Sequence, residues 1–175
     1  MTFSKTSVLS SAALVLLAAP AIAEEPNLQT PAPVIYLSDN LDEVDRLGWC
    51  IDTLGRGFAA NLQAHSCKPQ GGDVQFMLDR ETKQIRSVAF PDYCMEHVPN
   101  ADPVFALNTC DADEPRQSFI YDVENQSISP ADDEDLCVAV GAQSREAGPF
   151  MSRPLLMAQC AATDPAMREW TVLDG

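Results

Sequence analysis

Six cysteines recur in a regular pattern and constrain the fold of this chain more than any other feature. The first cysteines of three successive segments, Cys50, Cys94 and Cys137, are spaced by 44 and then 43 residues. In each segment a later apolar run ends at a second cysteine. These second cysteines are Cys67, Cys110 and Cys160. Self-similarity at a fixed period indicates tandem copies of one structural unit, so we predict three copies.

Each copy has the sequence pattern of about four short β-strands. An aromatic residue follows the second cysteine by nine or ten positions and opens an apolar strand, as Phe76, Phe119 and Trp170. Short apolar or alternating runs are separated by Gly, Pro, Asn and Asp, which is typical of all-β proteins. We predict that the three aromatics fill a shared core rather than stack on a ligand.

The repeat also predicts how the copies associate. A single unit would expose its hydrophobic face, so three units are expected to close into a threefold arrangement without free sheet edges. The third copy ends at Gly175 before a fourth strand. We predict that the apolar run 34–37 completes it by pairing with the strand around Trp170. Residues 38–47 have helical spacing of apolar residues and fit a short helix or a compact loop.

The same repeat predicts the disulfide pairing. Six cysteines allow fifteen connectivities. Pairing within each copy gives Cys50 with Cys67, Cys94 with Cys110, and Cys137 with Cys160. Each bridge would close a loop between neighbouring strands and stabilise the fold by about 3 kcal/mol.

The N-terminus has the pattern of a cleaved secretory signal over residues 1–23. Lys5 supplies the positive charge, an apolar run follows, and 21–23 form a small-x-small cleavage site. We therefore expect a secreted or periplasmic protein, which is the oxidising setting in which disulfides form. Residues 24–33 contain three prolines and fit an extended linker or mobile arm. Residues 34–175 form the predicted domain, with repeats at about 48–90, 91–131 and 132–175.

Composition argues against several functional classes. The chain has a formal net charge of −15, which disfavours binding to nucleic acid or anionic membrane surfaces. No Cys-x-x-Cys occurs, His65 and His97 have no partner at ligand spacing, and the acidic clusters 111–114 and 132–135 lack calcium-loop spacing. We expect no metal and no cofactor. No nucleophile and base motif is recognisable, so we expect no enzymatic activity.

The repeat resembles the ricin-type β-trefoil lectin family over residues 48–172. Repeats of that family carry an internal disulfide and a Gln-x-Trp signature, which corresponds here to 74–76, 117–119 and 168–170. The glutamine is in place only in the second copy, as Gln117, and the tryptophan only in the third, as Trp170. The resemblance implies a β-trefoil and up to one shallow sugar site in each copy.

Carried over by position, the resemblance assigns the first copy the most complete sugar site. Asp52 would accept hydrogen bonds from hydroxyls, Gln63 would supply an amide, His65 has the stacking position, and Asp73 stands where an asparagine is usual. The alternative is that these polar residues cap turns and bond loop backbone.

The other two copies keep less of the pattern. The second offers Glu96, Asn108 and Gln117 as a weaker site without an aromatic platform. The third has Ala139 and Ala158 at the corresponding positions, so we expect no sugar binding there.

Two functions fit the sequence. The first is an exported, carbohydrate-binding, lectin-like module in which the first repeat binds the glycan. The second is a non-catalytic protein-binding trefoil, such as a toxin-type subunit or an inhibitor, that has lost its sugars. The surviving acid and amide favour glycan, whereas the missing aromatic platforms favour a protein partner.

Overall fold

The computed structural model describes residues 24–69 and 72–175, and the predicted signal segment 1–23 lies outside them. Within the described residues the regular structure is β-strands and short 3-10 helices, and no helix there is long and apolar enough to span a bilayer. The strands are β1 (Val34–Leu37), β2 (Trp49–Thr53), β3 (Leu62–Ser66), β4 (Phe76–Asp79), β5 (Gln84–Ser87), β6 (Tyr93–His97), β7 (Phe105–Thr109), β8 (Phe119–Asp122), β9 (Ser127–Pro130), β10 (Leu136–Val140), β11 (Arg145–Ala147), β12 (Phe150–Arg153), β13 (Leu155–Gln159) and β14 (Trp170–Leu173). The 3-10 helices are Gly72–Val74, Pro115–Gln117, Cys160–Ala162 and Pro165–Met167.

Each repeat contributes two antiparallel hairpins. Strands β2 and β3 pair, as do β6 with β7 and β10 with β13, and these hairpins carry the cysteines. The second hairpins are β4 with β5, β8 with β9, and β14 with β1. In the last of these, Leu37 lies opposite Trp170 and Val34 opposite Leu173, so the N-terminal strand completes the third repeat as predicted.

The equivalent aromatics of the three repeats meet in one core. Phe76, Phe119 and Trp170 are buried and belong to a single hydrophobic cluster with residues from all three copies. The Trp170 indole also donates a hydrogen bond from Nε1 to the Val138 carbonyl at 2.8 Å. A buried ring of this size removes a large apolar area from water, so the three aromatics are central to the stability of the fold.

Three disulfides link the strands within repeats. They join Cys50 to Cys67, Cys94 to Cys110, and Cys137 to Cys160, which are the pairings that the repeat predicts. The described residues contain no free cysteine. The sequence separations are 17, 16 and 23 residues, so the third bridge encloses a longer segment than the other two.

That longer segment contains a hairpin that has no counterpart in the other repeats and that the sequence analysis did not predict. Strands β11 and β12 pair with each other, and β12 also pairs with β3 of the first repeat, with Ser152 opposite His65. The hairpin therefore extends the sheet of the first repeat, in the order β11, β12, β3, β2, β1, β14. It brings third-repeat side chains to the face where the predicted sugar residues lie.

Residues 38–47 form a compact loop rather than a helix. Leu41, Asp42 and Arg46 have φ between 53° and 55°, which a right-handed helix does not allow. The buried Asn40 organises the loop, because its side chain donates to the Glu43 carbonyl and accepts from the Gly48 backbone N–H. Of the two predicted alternatives for this segment, a short helix or a compact loop, the structure contains the loop.

The proline-containing segment 24–33 is extended but lies against the domain rather than projecting as an arm. Its backbone donates from Asn27 to the Arg46 carbonyl and from Gln29 to the Cys67 carbonyl. The Thr30 hydroxyl donates to the Lys68 carbonyl at 2.8 Å. These bonds hold the backbone on either side of Lys68, whose side chain is central to the candidate site.

Candidate functional site

Strands β2 and β3 bring the predicted first-repeat residues together. Asp52 and Gln63 lie opposite each other in the antiparallel pair, and His65 lies opposite Cys50 one pleat further on. Asp73 reaches the same place from the short helix Gly72–Val74. All four predicted residues are therefore neighbours, although they are spread over 22 positions of sequence.

The ammonium group of Lys68 connects the two carboxylates of this group. Its Nζ lies 3.1 Å from Asp52 Oδ2 and 3.3 Å from Asp73 Oδ2. The other carboxylate oxygen, Oδ1 of each aspartate, is buried and makes no hydrogen bond within the described residues. Lys68 thus occupies the position between the acids where, by the family resemblance, ligand hydroxyls are expected.

Asp52 lies below the surface of the site. Its side chain is fully buried, and this burial raises its pKa to about 7 even though the Lys68 ammonium favours the ionised form. The nearby Asp73 carboxylate raises the pKa further. Asp52 is consequently a support for Lys68 in this conformation rather than a surface acceptor for sugar hydroxyls.

His65 is buried beside the two acids. Its Nδ1 lies 3.0 Å from the Ser66 carbonyl and 3.7 Å from Asp52 Oδ2, and burial lowers its pKa. His65 is only 5% exposed to solvent, so the face of its ring does not form a broad stacking platform. The ring packs edge-on against Phe150, with ring centroids 5.8 Å apart.

These residues border a cavity of about 910 Å³ between the first repeat and the β11–β12 hairpin. First-repeat lining residues include Gln63, His65, Lys68 and Asp73, while Asp52 lies beneath them. The hairpin contributes residues 145–150 and Ser152. We call this cavity the first-repeat pocket.

Two lining residues of the hairpin were missed by the sequence reasoning. Phe150 is a half-buried aromatic beside His65, and Arg145 donates from Nη2 to Gln63 Oε1 at 3.3 Å. Neither has a counterpart in the other repeats, so aligning the copies could not identify them. The available signal was the 23-residue cysteine separation of the third copy, which is six or seven residues longer than the others.

The predicted second-repeat residues also lie together, but they are bonded to one another. Glu96 Oε2 accepts from Asn108 at 2.9 Å and from Gln117 at 3.2 Å, while Oε1 lies 3.0 Å from Arg116. Gln117 Oε1 in turn accepts from the Asp111 backbone N–H. We call this group the second-repeat network.

The third repeat has alanine at the positions equivalent to Glu96 and Asn108. Ala139 is buried opposite Leu156, and Ala158 lies opposite Cys137. Across the described residues no group of three or more His, Cys, Asp or Glu side chains is arranged to hold a metal ion.

Solved structures with similar folds include lectin domains and toxin chains. The β-trefoil lectin of Vibrio vulnificus hemolysin/cytolysin, solved with N-acetyl-D-lactosamine bound, is 17% identical, with a TM-score of 0.54 over 81% of this chain and 93% of that one. The earthworm lectin C-terminal domain mutant, in complex with 6'-sialyllactose, is 12% identical, with a TM-score of 0.56 over 80% and 97%. The Haemophilus ducreyi cytolethal distending toxin is 14% identical, with a TM-score of 0.54 over 87% and 89%. These likenesses concern the fold.

No curated protein sequence matches this chain significantly. The family model for the ricin-type beta-trefoil lectin domain matches residues 41–168, which are most of the chain and include all six cysteines. The matched span contains the three disulfides and two of the three equivalent core aromatics, Phe76 and Phe119. The chain therefore belongs to the ricin-type β-trefoil lectin domain family.

Proposed function

We propose that this protein is an exported, non-catalytic lectin that binds glycan in the first-repeat pocket. The observation that carries the proposal is the joint lining of that pocket by Gln63, Lys68 and Asp73 from the first repeat and by Phe150 from the hairpin. The polar groups of the second-repeat network are bonded to one another, and the third repeat has Ala139 and Ala158 at the equivalent positions, which favours the first repeat as the binding site.

The lining chemistry suits a sugar. An amide, an ammonium and a carboxylate can satisfy neighbouring hydroxyls as acceptors and donors. The half-buried Phe150 offers apolar ring surface for sugar C–H groups. The cavity volume of about 910 Å³ falls within the range of sites that enclose small ligands. Sugars present in the structures of the Vibrio vulnificus and earthworm lectins support the same class of ligand.

Glycan-array screening of the mature protein, followed by calorimetry on the strongest hits, tests this proposal. We expect Phe150→Ala to weaken binding by about tenfold or more, because an aromatic contact with ligand contributes roughly 1 kcal/mol beyond its buried area. Phe58→Ala is the matched control, since Phe58 is an exposed aromatic that packs on Phe90 and Tyr93 and does not line the pocket. Equal binding by both variants, or no binding to a broad panel, would overturn the proposal.

A protein-binding trefoil is the second candidate, and the position of Lys68 is the observation that favours it. The ammonium already neutralises the two acids that a sugar would otherwise contact. Capture of one stoichiometric protein partner that is retained by Phe150→Ala and Gln63→Ala, together with a negative glycan screen, would select this candidate.

A further inference from the structure

The first-repeat pocket has a different charge balance from the rest of the chain. Three cationic side chains line it, Arg56, Lys68 and Arg145, against the carboxylates of Asp73 and Glu146. Burial of His65 beside them lowers its pKa and so disfavours its charged form. The chain as a whole has a formal charge of −15. The pocket is therefore a local site where an anion is repelled much less than over the general surface.

The cations of the pocket differ in whether they form ion pairs within the protein. Lys68 is bonded to Asp52 and Asp73, so its charge is already neutralised within the protein. Arg56 and Arg145, in contrast, make no ion pair with a carboxylate within residues 24–69 and 72–175. Most other lysines and arginines of that part of the chain are ion-paired. Two unpaired guanidinium groups at one cavity in an acidic protein are thus a feature to be explained.

Arg145 is held in position for binding. Its Nη2 donates to Gln63 Oε1 at 3.3 Å, and its backbone lies in the β11–β12 hairpin that pairs with β3. One hydrogen bond leaves the other guanidinium donors available for a planar acceptor. Arginine binds carboxylates through two parallel N–H···O bonds, one to each carboxylate oxygen. A neutral hydroxyl has a single oxygen and does not match this paired geometry.

We propose that the ligand of the first-repeat pocket is an acidic saccharide, in which a sugar carboxylate binds the guanidinium groups of Arg145 and Arg56. This inference rests on the proposed lectin function and narrows its ligand class. The ring of the acidic sugar would lie toward Phe150 and its hydroxyls toward Gln63 and Asp73. The hairpin insertion of the third repeat would then be a specificity element that supplies the first repeat with both an aromatic and a cation.

Calorimetry with matched oligosaccharides tests the inference. Oligogalacturonate and its methyl ester share one sugar skeleton and differ in charge, and 6'-sialyllactose and lactose form a second acidic and neutral pair. We expect the native protein to bind at least one acidic member about tenfold or more tightly than its neutral partner, and to lose this preference at about 1 M salt. The pair that shows the preference distinguishes a uronic acid from a sialic acid.

The variants assign the preference to the pocket. Arg145→Gln and Arg56→Gln should each reduce the ratio of acidic to neutral affinity, by about tenfold for Arg145. Lys83→Gln removes the same charge at an exposed position outside the pocket and should have little effect. Circular dichroism and the unfolding midpoint check that each variant is folded.

The outcomes separate this inference from the lectin proposal. Equal affinity for acidic and neutral partners, with loss of both on Phe150→Ala, would overturn the acidic preference and leave the lectin function standing. Loss of acidic binding to the same extent in Lys83→Gln as in Arg145→Gln would also overturn it, because the effect would then follow net charge. No binding of acidic or neutral glycans would overturn both proposals.

Discussion

The first-repeat pocket and the second-repeat network lie at equivalent positions of two repeats, but the hydrogen bonding of their polar groups differs. Glu96 in the second repeat accepts from Asn108, Gln117 and Arg116, so its hydrogen-bonding capacity is filled from within the protein. In the first repeat, both aspartates depend on Lys68, and each keeps one buried oxygen without a partner in the described structure. One cluster is internally complete, whereas the other is left with unmet polar groups beside a cavity.

This difference separates a structural role from a binding role. A satisfied buried network contributes to stability and has little to gain from a ligand. A buried carboxylate oxygen without a hydrogen-bond partner lowers stability. A ligand, or a rearrangement of Lys68, could supply the missing hydrogen bond. Variants in the second-repeat network should therefore change stability without changing ligand binding. Variants in the first repeat should change ligand binding or, for the buried Asp52, the pH dependence of stability.

The largest expected effect is a pH-dependent stability change caused by Asp52. Its folded pKa is raised from 3.8 to about 7, so this carboxyl favours the folded state at low pH and loses that contribution as the pH rises through about 7. Asp52→Asn should remove the loss, and the stability difference between variant and wild type should shift by about 4 kcal/mol in favour of the variant between pH 4 and pH 8. Urea denaturation at several pH values measures it.

A control of opposite sign is available in the second repeat. Hydrogen bonds from the Asn125 side chain and from turn backbone lower the pKa of Asp122, so its contribution is present at neutral pH and lost as the pH falls. Asp122→Asn should therefore flatten the pH dependence on the acidic side. An Asp52→Asn variant with the same pH dependence as wild type would contradict the account of Asp52.

The next effect concerns the second-repeat network. Glu96→Ala removes a buried acceptor of three side chains and should lower the free energy of unfolding by about 2–3 kcal/mol, with glycan binding unchanged. Glu114→Ala is the matched control, because Glu114 also pairs with Arg116 but at a more exposed position, and its loss should have a much smaller effect on stability. A fully stable Glu96→Ala protein that no longer binds glycan would reverse the two roles.

A smaller effect is expected for the amide of the first repeat. Gln63→Ala should weaken glycan binding by about tenfold, since the side chain lines the pocket and holds Arg145. The other hydrogen bond of its side chain within the described structure is long, 3.4 Å from Nε2 to the Thr53 carbonyl, so the unfolding midpoint should change little. Calorimetry and thermal denaturation of the same preparation separate the two quantities. A large fall in the midpoint with unchanged affinity would count against the assignment.

The smallest effect is expected for the equivalent amide of the second repeat. Asn108 is exposed and donates one hydrogen bond to Glu96, so Asn108→Ala should cost about 0.5–1 kcal/mol of stability. Glycan affinity should remain within about twofold of wild type. A tenfold fall in affinity would show that the second repeat binds ligand as well.

The architecture could be predicted from the sequence because the same pattern of cysteines and aromatics occurs in all three repeats. Equivalent cysteines and aromatics in each copy predicted the disulfides, the core rings and the pairing of β1 with β14. Residues 38–47 were open between a helix and a loop, since apolar spacing does not reveal the positive φ values of Leu41 and Arg46. The β11–β12 hairpin occurs in the third repeat alone, so comparing the repeats could not predict it.

The site was less predictable for the same reason. The resemblance named Asp52, Gln63, His65 and Asp73, which the structure brings together, but it could not show that Asp52 lies beneath Lys68. The direction of a lysine side chain depends on the surrounding backbone, which here is held by Gln29 and Thr30 of the N-terminal segment. Phe150 and Arg145 belong to an insertion in another repeat and reach the site through the pairing of β12 with β3.

A crystal structure of the mature protein with the tightest-binding oligosaccharide of the glycan panel would show which repeat binds the sugar. We expect a sugar ring in the first-repeat pocket, beside Phe150 and within hydrogen-bonding distance of Gln63 and Asp73, with the second-repeat network unchanged. A sugar bound instead to Glu96 and Asn108, with the first-repeat pocket empty, would contradict it.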